Sequence, residues 1–423
     1  FVTVRTMLKL LLILFRWLRK PGKWFRIRGI ITWIKMMKKV IVQNIQNIIF
    51  KKKIFSLKIA TYLSALYQAL AHYNWWLGFY DSFIMIIKYL YRVPHQHKSM
   101  KASDGESYSV WTPTGQIPLE NDASNGLVDG MKKQSKQLLI EKKHIWICCP
   151  GGMGDIDPAM TALYSLDIFK GSKIVMFNNP GICTSMVNKP LTAPTETKYL
   201  IQYIKYLQNI HNYEVSLIGF SVGSVQALRT LHTINNQDIH KNIKLKSVIL
   251  VHGPDIVRDA VCSCQNNWIV RMDIYFAFHL RWLQYMNSNS WNMIKDKIDL
   301  SWFNGWAFIQ QMSSVSIGKD WEKCEQELFN LRNYCDKSIV NTPIMRVVAK
   351  NDWIVPFDSI DEKYFKYFKD VLISSRGGHC GVSQCQQTID AIKKWNEEIV
   401  EGIEEENATA NNQCTQETTV VAG

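Results

Sequence analysis

The sequence predicts an α/β protein in which a mainly parallel sheet carries helices on both faces. Three observations lead there. From about Lys143 onward, short apolar runs alternate with helical stretches, the pattern of strands joined by crossover helices. A serine set between two glycines stands where one of these runs passes into a helix. Two later runs end in loops that carry first an aspartate and then a histidine.

The runs are Ile145 to Cys149, Lys173 to Phe177, Val215 to Ile218, Ser247 to His252, Ile344 to Ala349 and Val371 to Ser374. Between the second and third, Thr195 and Glu196 open a stretch in which Tyr199, Leu200, Tyr203, Ile204 and Leu207 recur at helical spacing. Two parallel strands need such a crossover. Residues 101–140 are polar and rich in turns, with an edge strand read at Tyr108 to Trp111. The interval from Asp255 to Asn341 breaks the alternation with helical patterns dense in Trp, Phe, Tyr and Met. It reads as a lid-like insert lining an apolar pocket, or as ordinary packing of helices on the sheet.

A chain of 423 residues accommodates one domain of about 250 to 300 residues and an appendage. Charge locates the appendage: residues 1–100 hold 18 Lys or Arg against one acid, Asp81, and the rest holds 32 basic against 35 acidic residues. The expected organisation is a basic helical membrane-associated region over 1–100, an α/β body over 101–400 with its insert at 255–341, and a disordered acidic and polar tail over 401–423. A basic segment fits nucleic acid or an anionic membrane surface. The apolar block Leu8 to Leu18 and the following Trp24, Phe25, Trp33 and Ile34 favour the membrane through residues 1–92, and no nucleic acid partner is expected. Ile59 to Tyr80 is uncharged and, at about 33 Å as a helix, just reaches across a bilayer. Gln68, His72 and Asn74 within it need partners there, so a soluble amphipathic helix packed on the body is the other reading. If it spans, Lys51, Lys52, Lys53 and Lys58 before it place the N-terminus in the cytoplasm.

Ten cysteines without a framework spacing read as reduced thiols. Cys262-Ser263-Cys264 is too close and isolated for a zinc site, and neither metal nor cofactor is expected.

Gly219-Phe220-Ser221-Val222-Gly223 is the candidate nucleophile elbow. A strand turning into a helix within one residue forces the serine into strained dihedrals and leaves no room for neighbouring Cβ atoms, hence the two glycines. The following helix aims its unpaired N–H groups at the serine oxygen. The base and the acid that orients it should come from loops at the carboxyl ends of later strands. Asp352, with Asp358 and Asp361 as alternatives, and His379 after Gly377 and Gly378 fit. The order serine, aspartate, histidine is the one expected on such a sheet. His72, His95, His97, His144 and His211 precede the elbow and read as surface or N-terminal residues, His232, His240 and His279 end no predicted strand, and His252 ends one near the site but comes too early in the chain for the base. Two N–H groups should hold the oxyanion: Val222, and Gly152 or secondarily Met153 in the glycine loop after the first strong strand. That loop lacks the Gly-Lys-Ser or Gly-Lys-Thr of a phosphate cradle.

With Pro150-Gly151-Gly152-Met153-Gly154, Phe177 to Gly181, Gly219 to Gly223, Asp352 to Pro356 and Gly377-Gly378-His379, the chain resembles the α/β-hydrolase superfamily over roughly residues 140–396, and within it the membrane-anchored α/β-hydrolase-domain lipases and esterases. It departs from that pattern at Pro180, where the family often has arginine, and at Ser224, where a small glycine is usual. The resemblance implies carboxylic ester hydrolysis through an acyl-serine intermediate, often of lipid esters. The function expected is that of a membrane-associated serine hydrolase acting on lipid or acyl esters. A thioesterase or acyltransferase with the same triad, and a non-catalytic binding or scaffold protein of this fold, are the alternatives.

Overall fold

The computed structural model describes residues 95–113, 142–151, 158–180, 196–240, 242–265, 326–352 and 354–421. All of them belong to the unit Ser64–Gly423. The basic N-terminal region, expected to be helical, the stretch Ile59 to Tyr80 and most of the aromatic insert lie outside the described residues. Among the described residues, no helix is long and apolar enough to cross a membrane.

The strands are β1 His95–Lys101, β2 Ser107–Pro113, β3 Lys143–Cys149, β4 Ser172–Asn178, β5 Tyr213–Phe220, β6 Leu245–Val251, β7 Ile344–Ala349 and β8 Asp370–Ser374. The helices are α1 Pro158–Ser165, α2 Lys198–His211, α3 Val222–Asn236, α4 Val257–Gln265 and α5 Gln386–Val421. The eight strands form one sheet in the order β1-β2-β4-β3-β5-β6-β7-β8. β1 pairs antiparallel with β2, and β2 with β4. Every later pairing is parallel. The expected six runs are β3 to β8, displaced at their ends by no more than two residues.

Parallel strands covered on both faces read as continuous apolar runs, and β3 shows why. Ile145, Ile147 and Cys149 join Val175, Phe177, Val215, Leu217, Val248 and Leu250 in the core beneath α2 and α3. The intervening Trp146 faces the other way and donates its indole N–H to Asn396 of α5 at 2.8 Å. Tyr199, Leu200, Tyr203, Ile204 and Leu207 of α2 are all buried, on the stripe that their spacing predicts.

The body departs from expectation at both ends. The sheet begins at His95, inside the segment assigned to the basic region, because β1 pairs residue for residue with β2 along its whole length. Its sequence, HQHKSMK, has no apolar alternation to announce a strand, as suits an exposed sheet edge. The acidic tail, expected to fray, continues α5 to Val421. Contacts to the body hold its first turns. Asn407 accepts from the Lys142 N–H and donates to the Lys142 carbonyl, at 3.1 and 3.0 Å. Glu406 lies 2.6 Å from Lys246 and 3.4 Å from Lys142.

His144 is a second correction. Expected at the surface, it is buried, with Nδ1 2.7 Å from Ser172 Oγ and Nε2 2.8 Å from Ser216 Oγ. Its partners lie far away in the sequence, so nothing local marks it as interior.

Candidate active site

Ser221 is the single residue between β5 and α3, at φ 52° and ψ −123°. A non-glycine residue with positive φ is strained and persists only where its surroundings over-determine it. Here the Ser221 N–H donates to the Val251 carbonyl of β6 at 2.9 Å, and its carbonyl accepts from the Ser224 N–H at 3.0 Å. The two glycines are sterically required. A Cβ on Gly219 would sit 2.6 Å from Ser224 Cα, and one on Gly223 would sit 2.6 Å from the Cys149 carbonyl carbon. Ser224, where the resemblance noted in the sequence leads one to expect glycine, turns its buried hydroxyl to the Gly219 and Val251 carbonyls at 2.8 and 3.3 Å. The departure thereby adds a tie across the elbow.

Asp352 lies three residues past the end of β7, after Lys350 and Asn351. Its Oδ1 accepts from the N–H groups of Ile354 and Val355, each at 2.9 Å, which fixes the carboxylate in its own turn. His379 follows β8 in a loop where Gly377, Gly378 and Cys380 all take positive φ, at 121°, 50° and 61°. The glycines before the histidine are therefore needed for backbone conformation as well as space.

These loops bring the three expected residues together. His379 Nδ1 lies 2.9 Å from Asp352 Oδ2 and 3.1 Å from Oδ1. His379 Nε2 lies 2.9 Å from Ser221 Oγ. The ionised carboxylate only accepts, so Nδ1 carries the hydrogen and Nε2 is free to accept from the serine. The Asp352 side chain is 2% exposed and that of His379 12%. The acid is sealed while the base reaches solvent. Burial alone would push the His379 pKa down, but the Asp352 carboxylate, with the Cys380 side chain adding, outweighs it and holds the pKa well above 6.5. Burial likewise opposes ionisation of Asp352, and the His379 and His252 rings with the Val355 N–H overcome it, leaving its pKa below the usual carboxylate value. The alternative acids have other work: Asp361 caps the 3₁₀ helix Glu362–Tyr367, and Asp358 lies in the short 3₁₀ helix Phe357–Ser359.

Strand order, elbow and triad together fix the architecture. The fold is that of an α/β-hydrolase. No family model matches the sequence, and no curated protein does. Among solved structures, the chain is similar to an esterase of Pyrococcus furiosus, with 13% identity, 74% of this chain and 92% of that one covered, and a TM-score of 0.43. It is also similar to Est1E of Butyrivibrio proteoclasticus with ferulic acid bound, with 13% identity, coverages of 72% and 99% and a TM-score of 0.43. A phosphonate-inhibited esterase B of Lactobacillus rhamnosis follows at 11% identity, coverages of 76% and 91% and a TM-score of 0.44.

In this α/β-hydrolase fold Val222 opens α3, so its N–H belongs to the first turn, which has no intrahelical acceptor. Gly152 and Met153 lie outside the described residues. Gly151 is placed, and it packs directly against the elbow: a Cβ there would lie 3.0 Å from Ser221 Cβ and 3.1 Å from the Phe220 carbonyl oxygen.

Two features escape sequence reasoning. Asn351 Oδ1 accepts from the Gly378 N–H at 2.9 Å, fastening the histidine loop to the aspartate loop. Beneath the β6 loop, Arg346 of β7 is fully buried; its Nη2 donates to Asp255 Oδ1 at 2.5 Å and to the Gly253 carbonyl at 3.2 Å. Its guanidinium lies against the Phe365 and Phe368 rings, 5.7 and 5.5 Å from their centroids. The legible signal was an arginine inside an apolar strand, since a buried charge needs a partner.

Proposed function

We propose that the chain is a serine hydrolase that cleaves carboxylic esters through an acyl-serine intermediate. The unbroken hydrogen-bond chain from Ser221 through His379 to Asp352 carries this reading. Ser221 Oγ attacks the ester carbonyl as His379 Nε2 takes its proton. Asp352 stabilises the imidazolium that forms, in keeping with the raised His379 pKa. The tetrahedral oxyanion faces the Val222 N–H at the positive end of α3, with Gly152 as the second donor. His379 returns the proton to the departing alcohol. Water then repeats the cycle on the acyl-enzyme.

The substrates that fit best are lipid or acyl esters, and the enzyme works at a membrane surface. What supports this is the sequence of residues 1–92, where Lys and Arg alternate with Trp, Leu and Ile, the composition of helices that lie among lipid headgroups. Turnover of p-nitrophenyl esters of increasing acyl length checks the chemistry and the chain preference together. Ser221→Ala should lower it by about 10⁶-fold; a variant that keeps its turnover sinks the assignment. Cosedimentation with phosphatidylserine vesicles, lost when residues 1–92 are removed from the full chain, checks the membrane.

A further inference from the structure

The loop after β6 holds a histidine that the mechanism above does not use. His252 is 2% exposed and adopts φ 51°, a left-handed conformation that is strained for any side chain other than glycine. Its place is fixed from several sides. The His252 N–H donates to the Val347 carbonyl at 2.9 Å. The next carbonyl, that of Gly253, accepts from buried Arg346, which also holds Asp255. Gly377 packs against the ring, so that a Cβ there would come within 3.7 Å of His252 Cε1.

From this position His252 Nδ1 accepts the Cys380 N–H at 2.7 Å. Cys380 follows His379 directly. On the other side of His379, Gly378 gives its N–H to Asn351. The residue whose imidazole must meet Ser221 is thus bracketed by two backbone N–H groups, each taken by a side chain from a different strand-end loop. The loop needs such ties, because Cys380, which is not glycine, sits at φ 61° and strained backbone persists only when over-determined.

We propose that His252 is a positioning residue of this hydrolase: by accepting the Cys380 N–H it fixes the loop that presents His379 to Ser221. The role requires a bare Nδ1, with the ring's one hydrogen on Nε2. Burial pushes the His252 pKa down to about 4, with Asp352 opposing and His379 adding, so at neutral pH the ring keeps one hydrogen and Nδ1 faces a donor as an acceptor. The ring centroids of His252 and His379 are 6.3 Å apart. His252 therefore acts on His379 through the backbone of Cys380 and takes no part in proton transfer from Ser221.

The inference rests on Ser221 being the nucleophile, and the rate of fluorophosphonate labelling of the full chain tests it. His252→Asn keeps an acceptor near the Nδ1 position, whereas His252→Leu fills the volume without one. The Leu variant should label slower by about tenfold to a hundredfold, the effect of misplacing a catalytic group by about 1 Å, with kcat for an ester falling and KM unchanged. The Asn variant should label near the wild-type rate. Equal slowing of both variants, or a Leu variant as fast as wild type, overturns the proposal. If the Leu variant does not fold, the imidazole ¹⁵N shifts of wild-type His252 decide: hydrogen on Nε2 is expected, and hydrogen on Nδ1 overturns it. A wild-type protein that does not label, or a Ser221→Ala variant that does, is a failure of the hydrolase reading instead, and the ¹⁵N result still reports on His252.

Discussion

Two histidines of this molecule, His379 at the carboxyl ends of the parallel strands and His144 toward their amino ends, each touch serine at hydrogen-bond distance. His379 Nε2 is 2.9 Å from Ser221 Oγ, and His144 Nε2 is 2.8 Å from Ser216 Oγ. Beyond that contact the two regions diverge. The other nitrogen of His379 meets a carboxylate, whereas that of His144 meets the hydroxyl of Ser172, which in turn donates to Asn396 at 2.7 Å. Ser221 stands alone in a strained elbow that opens a helix. Ser216 lies inside β5, fully buried. Even the pKa shifts oppose each other: His379 is raised, and burial, with Lys246 adding, pushes His144 down to about 3. A serine and a histidine in contact do not make a nucleophile. In the proposed hydrolase the carboxylate, the access to solvent and the place at a strand end single out Ser221.

The strongest way to break the comparison is to remove the carboxylate. Asp352→Asn should lower kcat by about 10⁴-fold, by favouring the wrong tautomer of His379, while Asn396→Leu at the other end leaves kcat per folded molecule unchanged. Comparable losses in steady-state ester turnover would erase the distinction. A smaller but still large effect is expected at the elbow. Gly223→Ala drives a Cβ into the Cys149 and Pro150 carbonyls, backbone that cannot swing aside, and should cost about 1–3 kcal/mol or more in urea unfolding along with most of the activity. Ser172→Ala, which takes a partner from buried His144, should cost about 1–3 kcal/mol in the same assay and leave the turnover of folded protein intact.

The smallest effects sharpen the comparison through pH. Activity needs neutral His379, so kcat/KM should rise with pH through a midpoint above 6.5, and Asp352→Asn should move that midpoint down. Stability should respond with opposite sign at the two ends. A folded pKa below the unfolded value means that the unfolded state binds more protons. The contribution of His144 is therefore complete above pH 6.5 and lost as pH falls toward about 3. His379, with its pKa raised, contributes fully below 6.5 and loses that contribution as pH rises through its folded pKa. Urea midpoints across pH 4 to 7 should show a flatter acid side for His144→Gln than for wild type.

The same contrast separates what the sequence makes legible from what it hides. Ser221, Asp352 and His379 are readable because each must end a strand, and ends of apolar runs are visible one at a time. The glycines at 219, 223, 377 and 378 are readable because backbone that crowds or turns left-handed leaves few other choices. The polar network of His144, Ser172, Ser216 and Asn396 has no such local mark. Its members come from three strands and a helix, and only the folded register brings them together. His252 falls between these cases: its place at a strand end is readable, but the Cys380 N–H that it accepts, 128 positions later, is not. β1 and the stretch of α5 around Asn407 are not legible, because polar segments docked through Asn407, Glu406 and backbone pairing carry no hydrophobic pattern.

Mapping the adduct of a fluorophosphonate probe by peptide mass spectrometry tests the central claim most directly. One adduct, on Ser221, is predicted, with Ser172 and Ser216 unmodified and labelling slowed strongly by Asp352→Asn. A folded wild-type chain that takes no adduct, or takes it at another serine, would contradict the account.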